Sequence, residues 1–373
     1  MTENHSDKPG RLKSLDALRG FDMFFIFGGD SIIITLSVIT GWPVMNWLAG
    51  QMEHAKWAGF TFYDNIFPLF LFIAGISFPL SFYKRQLADS RRKTYFHIIR
   101  RGVILVLLGF VYNGFLGLDF ENQRYASVLG RIGLAWMFAA LIFINTKRIH
   151  RSIIIAVILS GYWLLLATVK SPDAPSGADG YSMTGSIVGY IDRLFLPGQL
   201  YLKVHDPEGI LSTIPAIATA LLGMLTGEFI LLKHVKLNGL KKGLILLAAG
   251  ALLMVIGKIW NLSFPINKNL WTSSFVCYAG GLSVILFSIF YLIIDVWGYS
   301  KWAFFFVVIG MNSIVAYLAS HFIDFEYTGK AVIGGIIHYF PENWQSLLSI
   351  IGTVIIGWCF LYFLFRKKWF LKV

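Results

Sequence analysis

Apolar residues recur along this chain in long runs, with short polar and basic stretches between them. A helix needs about 20 apolar residues to cross the hydrocarbon core. Ten runs approach that length: Leu15–Ile39, Phe62–Tyr83, Ile98–Leu116, Ala126–Ile144, Ile153–Val169, Gly209–Leu232, Leu240–Trp260, Leu270–Ile294, Trp302–Phe322 and Ser346–Phe365. The pattern predicts an all-α, polytopic integral membrane protein of about ten transmembrane helices. A cytoplasmic N-terminal tail, 1–13, precedes a single transmembrane domain, 14–373, whose longest loop spans 170–208.

The polar stretches set the orientation. One alternate set is basic: Lys8, Arg11 and Lys13; Lys84, Arg85, Arg91, Arg92, Lys93, Arg100 and Arg101; Lys147, Arg148 and Arg151; Lys233, Lys236, Lys241 and Lys242; Arg366, Lys367, Lys368 and Lys372. The other set carries acids, among them Glu53, Asp119, Asp173, Asp206, Glu208 and Asp324. Basic loops stay in the cytoplasm. Both termini are therefore expected there, and loop 170–208 outside, in an inner membrane. The loop opens with the turn-rich SPDAPSGADG, expected to be mobile. GYIDRLFLPG in its second half reads as a short interfacial helix.

Composition agrees with this. Of 373 residues 56% are hydrophobic, and the mean hydropathy is +0.66, more apolar than a soluble surface tolerates. The net charge of +12 sits in the inter-helix stretches, so it reads as topology and anionic-lipid contact and not as a nucleic-acid surface. Met1 to Arg11 show no signal-peptide core. Cys277 and Cys359 both lie in apolar runs, which argues against a disulfide framework. No HExxH, CxxC or His cluster suggests a metal site. Gly223 and Gly227 form a GxxxG pair, a helix-packing signal.

Ionisable groups inside a membrane are costly and therefore candidates for function. Asp16, Arg19 and Asp22 share a helix face and can neutralise one another. Asp30 lies fourteen residues past Asp16, about 21 Å along a helix, in the outer half of the membrane. Asp64, Arg131, Lys258, the run Asn267-Lys268-Asn269, and Asn312 are placed toward the same side. Scattered caps and snorkelling side chains would give this distribution too; a polar cavity is the favoured reading. Beside it falls His54, in WLAGQMEHAKWAGF, a segment whose Trp47, Met52 and Trp57 suit the interface. Its imidazole could accept a proton, with Asp64 orienting the ring. His5, His97, His150, His205, His234, His321 and His338 read as ordinary solvated or packed residues.

The stretches SLDALRGFDMFF, EHAKWAGFTFYDNIFPLFLFIAGIS, SVLGRIG, GYIDRLF, DPEGILSTIPAIATALLG, INKNLWTSSFV and GMNSI resemble the heparan-alpha-glucosaminide N-acetyltransferase family, from Ser14 to the C-terminal basic residues. The resemblance implies a transmembrane enzyme that moves an acetyl group from acetyl-CoA to the amine of a glucosamine-type sugar outside the cytoplasm. It makes His54, in His54-Ala55-Lys56-Trp57-Ala58-Gly59, the active-site histidine and Asp64 a functional aspartate. Asp30 stands where the family has an asparagine. Asp30, Arg131, Asn267, Lys268, Asn269 and Asn312 become candidates for holding the donor, with Asn269, Asn312, Arg131 and Lys268 also able to stabilise an oxyanion. Arg19, Arg100 and Arg101 could meet the anionic end of CoA at an inner mouth. Lysosomal members carry a lumenal domain and a further helix before the region matching Ser14, so a bacterial amino sugar or envelope glycan fragment is the expected acceptor.

His54 acts as the base on the amine, or takes the acetyl group first as a nucleophile. The competing classes are a secondary transporter of a sugar or glycan fragment, which would share the buried charges and polar cavity, and an inactive relative that only binds. The expected partners are the lipid bilayer and the acceptor. An exposed apolar helix face could pair with a second copy as a homodimer.

Overall fold

The computed structural model describes residues 12–85, 90–232 and 237–371. The stretch 1–11, with His5, Lys8 and Arg11, and also Lys233, His234, Lys236 and Lys372, lie outside the described residues. The protein is all-helical; the only pairings outside helices among the described residues are isolated bridges, Arg124 with Gly198 and Lys170 with Ser186.

The first apolar run folds as α1 (Lys13–Phe24) and α2 (Asp30–Thr40), joined by a wide turn at Phe25–Gly29. Gly28 takes φ +114° there, a conformation that a side chain would strain. Helix α3 (Pro43–Gln51) follows, then α4 (Ile66–Arg85), α5 (Arg91–Tyr112), α6 (Val128–Asn145) and α7 (Arg148–Thr168). The long loop carries α8 (Ile187–Phe195), the expected short helix. The chain continues through α9 (Thr213–Leu231), α10 (Gly239–Trp260) and α11 (Ser273–Phe290). It ends in α12 (Phe304–Met311), α13 (Ser313–Phe322), α14 (Phe325–Ile337) and α15 (Glu342–Lys367).

Among the described residues nine helical spans are long and apolar enough to cross a membrane. The ninth run of the sequence is broken into α12 and α13 with a 75° bend, and the count is ten when that pair is taken as one span. Helix α14 was not anticipated from the sequence. The lipid-facing helices show it in their side chains: Ile153, Val157 and Leu164 of α7 and Leu252, Val255 and Ile259 of α10 are exposed.

The centre is α4, α6, α9 and α11, the most enclosed spans. Small residues allow α4 and α9 to touch along their backbones. A Cβ at Gly223 would collide with the Phe72 carbonyl, and one at Gly227 with that of Ile76. The GxxxG pair is therefore a packing device. Arg151 clamps the far end of the bundle, donating to Glu228 at 2.8 Å and to the Phe143 carbonyl at 2.8 Å.

At the other end the connecting loops converge. Trp57 donates to the Tyr181 carbonyl (2.9 Å), Gly59 to that of Ile266 (2.8 Å), and Tyr162 to that of Leu270 (2.7 Å). The stretch 171–180, expected to be mobile, forms tight turns tied to α8 by Arg193, which donates to Asp173 at 2.7 Å.

Candidate active site

The segment before α4 begins with a capping box. Thr61 caps a short turn, Phe62–Asn65, and Asp64 returns a carboxylate oxygen to the Thr61 N–H. Capping engages only part of the carboxylate. Asp64 Oδ2 accepts from Ala55 N and Thr61 N, both at 3.2 Å, and from the Thr61 hydroxyl. Its Oδ1 lies 2.8 Å from His54 Nδ1. Asp64 is buried, whereas the His54 side chain is 52% exposed. A buried carboxylate thus holds a ring that faces an opening. Because Asp64 is acceptor-only when ionised, Nδ1 carries the proton toward it and Nε2 presents a lone pair.

A second loop completes the centre. Asn267 accepts from Leu270 N through its side chain (3.0 Å) and donates its own backbone N–H to the Thr272 hydroxyl (3.0 Å). This turn places Lys268 Nζ 3.1 Å from His54 Nδ1, 3.2 Å from Nε2 and 3.6 Å from Asp64 Oδ1. Burial pushes the Lys268 ammonium down from the usual lysine range, opposed by the Asp64 charge. Gly59 keeps the two loops together through its bond to Ile266, at a φ of +124° that favours glycine.

His54, Asp64, Lys268 and Asn269 line one cavity of about 520 Å³. Lys56, Arg124, Tyr201 and Glu208 stand at its polar end. The remainder of its wall is apolar: Met23 and Ile26 from the first span, Phe67 and Phe70 from α4, Leu129 and Ile132 from α6, and Ile314 from α13. The cavity therefore runs from the loops into the helix bundle, a size and lining common to small-molecule sites.

Other residues singled out from the sequence lie around this centre or apart from it. Asp30 opens α2 and accepts from Ser31 N at 2.6 Å. It reaches the cavity through Tyr63, whose hydroxyl faces it and whose ring packs 4.8 Å from that of His54. Arg131 backs the cavity wall: it is buried, donates to Ser212, and stacks 4.9 Å over Trp271. Asn267 shapes the Lys268 turn. Asn312 is elsewhere. It donates to the Trp369 carbonyl at 3.0 Å and accepts from Leu371 N at 3.3 Å, because the 75° bend turns it toward the C-terminal segment. Lys258 lies over the Tyr278 ring. Arg19 joins Asp16 and Ser77, while Asp22 is buried with no hydrogen-bond partner among the described residues. Arg101 stacks on Trp136 and Arg100 is exposed.

Sequence reasoning overlooked Tyr63, Thr61, Arg124, Tyr201, Glu208 and Tyr317. A signal existed for two of them: Tyr63 directly precedes Asp64, and Glu208 lies in DPEG, where the acids were counted only as loop charge.

The loop acids are organised. Arg124 donates Nε to Asp206 Oδ2 at 2.9 Å and Nη2 to Oδ1 at 2.7 Å, and also pairs with Glu208. Asp206 stays below the usual carboxylate range even though burial opposes it, because of Arg124 and two backbone N–H groups. Asp192 of α8 accepts from Ile210 N at 2.9 Å, and burial pushes it up to about 7. His205 Nε2 donates to the Asn269 carbonyl at 3.0 Å, and burial pushes the ring down to about 4.

The site is thus a carboxylate–imidazole pair with a lysine beside it, at the polar end of a largely apolar cavity. The chain is similar to heparan-alpha-glucosaminide N-acetyltransferase. The Homo sapiens protein of that name is 28% identical over 438 aligned residues, covering 98% of this chain and 60% of that protein. The Mus musculus protein is 28% identical over 442, covering 100% and 62%. The chain thus spans about three fifths of the length of these relatives. A family described as a domain of unknown function, DUF5009, matches residues 11–170. The resemblance read from the motifs is borne out, and both His54 and Asp64 lie within the family match.

Proposed function

We propose that this protein is a transmembrane N-acetyltransferase that moves an acetyl group from acetyl-CoA to the amine of a glucosamine-type sugar. The observation that carries the reading is the His54–Asp64 pair, with Lys268 beside it, at the head of a cavity that continues between the helices. The names of the relatives supply the reaction class.

Amide formation requires loss of a proton from the amine, attack on the thioester carbonyl and departure of sulfur. His54 Nε2 takes the proton as the N–C bond forms. Asp64 keeps the ring oriented and balances the imidazolium. Lys268 offers a donor to the oxyanion of the tetrahedral intermediate. The C–S bond then breaks, and His54 returns the proton to the leaving sulfur. The apolar wall from Met23 to Ile314 suits the pantetheine arm of the donor, while the polar mouth receives the acceptor. Arg131 and Asn267 support this wall and the Lys268 turn. Asp30 acts through Tyr63.

The basic residues Arg91, Arg92, Lys93, Arg148, Lys241, Lys242, Lys367 and Lys368 lie toward the end away from His54. They support an extracytoplasmic mouth, in a bacterial inner membrane.

Purified protein with labelled acetyl-CoA and glucosamine tests the proposal. Transfer should be lost in His54→Ala, by about a thousandfold or more. Unchanged transfer would remove His54 from the chemistry. Accumulation of the sugar in proteoliposomes without acetyl-CoA would replace acyl transfer with transport.

A further inference from the structure

Across the cavity mouth from His54, the loop between α8 and α9 meets the loop before α6 in one rigid cluster. Asp206 is its fully buried hub. Its Oδ2 accepts from Arg124 Nε and from Tyr201 N (3.0 Å), and its Oδ1 accepts from Arg124 Nη2 and from Glu208 N (2.9 Å). Those four bonds fix three residues that line the cavity: Arg124, Tyr201 and Glu208. The Arg124 guanidinium lies 4.6 Å from the Tyr201 ring centroid, yet the ring is 65% exposed.

We propose that Tyr201, Arg124 and Glu208 form the subsite that recognises the sugar ring of the acceptor, with Asp206 as the positioning residue behind it. The inference rests on the acyl-transfer reading. A pyranose presents an apolar C–H face and a rim of hydroxyls. A fixed aromatic ring suits the first, and charged groups held in place suit the second. Arg124 is held by both oxygens of Asp206, which leaves the Glu208 carboxylate as the group on this platform suited to the ammonium of an amino sugar. Lys56 and Lys268 line the same cavity, so the preference is local to Glu208 and is not a net charge of the mouth. The same carboxylate discriminates against an acidic or sulfated ring laid on Tyr201. The subsite and His54 share the cavity, so a sugar lying on Tyr201 can direct its amine to the imidazole.

The test separates the subsite from the reaction. Glucosamine binding to the detergent-solubilised full-length protein is measured by calorimetry without acetyl-CoA, and KM for both substrates by labelled transfer. Tyr201→Ala is expected to weaken glucosamine binding and raise its KM by about tenfold, with the acetyl-CoA KM unchanged. Tyr201→Phe, which retains the ring, should weaken glucosamine binding far less than Tyr201→Ala. Glu208→Gln should weaken glucosamine more than its N-acetylated product, which carries no charge. Wild-type binding that is lost in Tyr201→Ala upholds the subsite even if no transfer is seen, in which case only the acyl-transfer reading falls. Unaltered glucosamine binding in both Tyr201→Ala and Glu208→Gln overturns the proposal. So does a raised KM for acetyl-CoA alone, which would assign the platform to the donor.

Discussion

Asp64 carries two duties with one carboxylate: it closes the cap ahead of α4 and holds His54 at 2.8 Å. Asp64→Asn keeps an oxygen for the cap and loses the charge behind the ring. We expect kcat to fall by about 10²- to 10⁴-fold with the acceptor KM little changed, and the thermal unfolding midpoint close to wild type. An equal loss of kcat and of thermal stability would make Asp64 a structural residue only. The same scale holds a pH prediction. Asp192, held near 7 in the fold against an ordinary 3.8, costs stability as pH rises through that window, because the unfolded chain releases the proton first. His205, held near 4 against 6.5, costs stability as pH falls through its own window. Asp192→Asn should therefore raise the unfolding midpoint at about pH 8 and converge on wild type toward about pH 4. His54 and Asp64 were legible in the sequence because both lie within about ten residues of one motif. Their contact with Lys268 joins positions 214 residues apart, and no local pattern encodes that.

Helices α4 and α9 decide where that carboxylate stands. Their backbones touch at Gly75, Gly223 and Gly227, so the start of α4 is set by a contact deeper in the bundle. Gly223→Leu should push the helices apart and cost about 1–3 kcal/mol, read as a lower unfolding midpoint with reduced transfer. Gly161→Leu on lipid-facing α7, where nothing lies within 4 Å, is the control and should be tolerated. The ten apolar runs marked the spans because hydropathy is a local property. The break at Asn312 escaped detection because α12 and α13 together keep the length of one span, and a bend leaves no trace in an unbroken apolar run. Helix α14 escaped for the opposite reason: its 13 residues are too few to signal a crossing.

The whole bundle is polarised, with His54 and the acidic loops at one end and the Arg151–Glu228 clamp at the other. After Cys277 and Cys359 are replaced by serine, a cysteine introduced at Glu53 should react with a membrane-impermeant maleimide added to intact cells, and one at Lys84 should not. The reverse labelling would invert the orientation and place His54 in the cytoplasm. The gathering of polar groups at one end was legible in the sequence; the pairing of Arg124 with Asp206 was not, since both loops are polar and many pairings would satisfy them.

The segment after α15 also belongs to this arrangement. Residues 369 and 371 bracket the Asn312 carboxamide, and α13 beyond that hinge delivers Ile314 and Tyr317 to the cavity wall. Removing 368–371 would leave the hinge unlatched, so their loss is expected to lower turnover at a cavity that neither Trp369 nor Leu371 lines. Affinity handles spliced directly onto that end would carry the same risk.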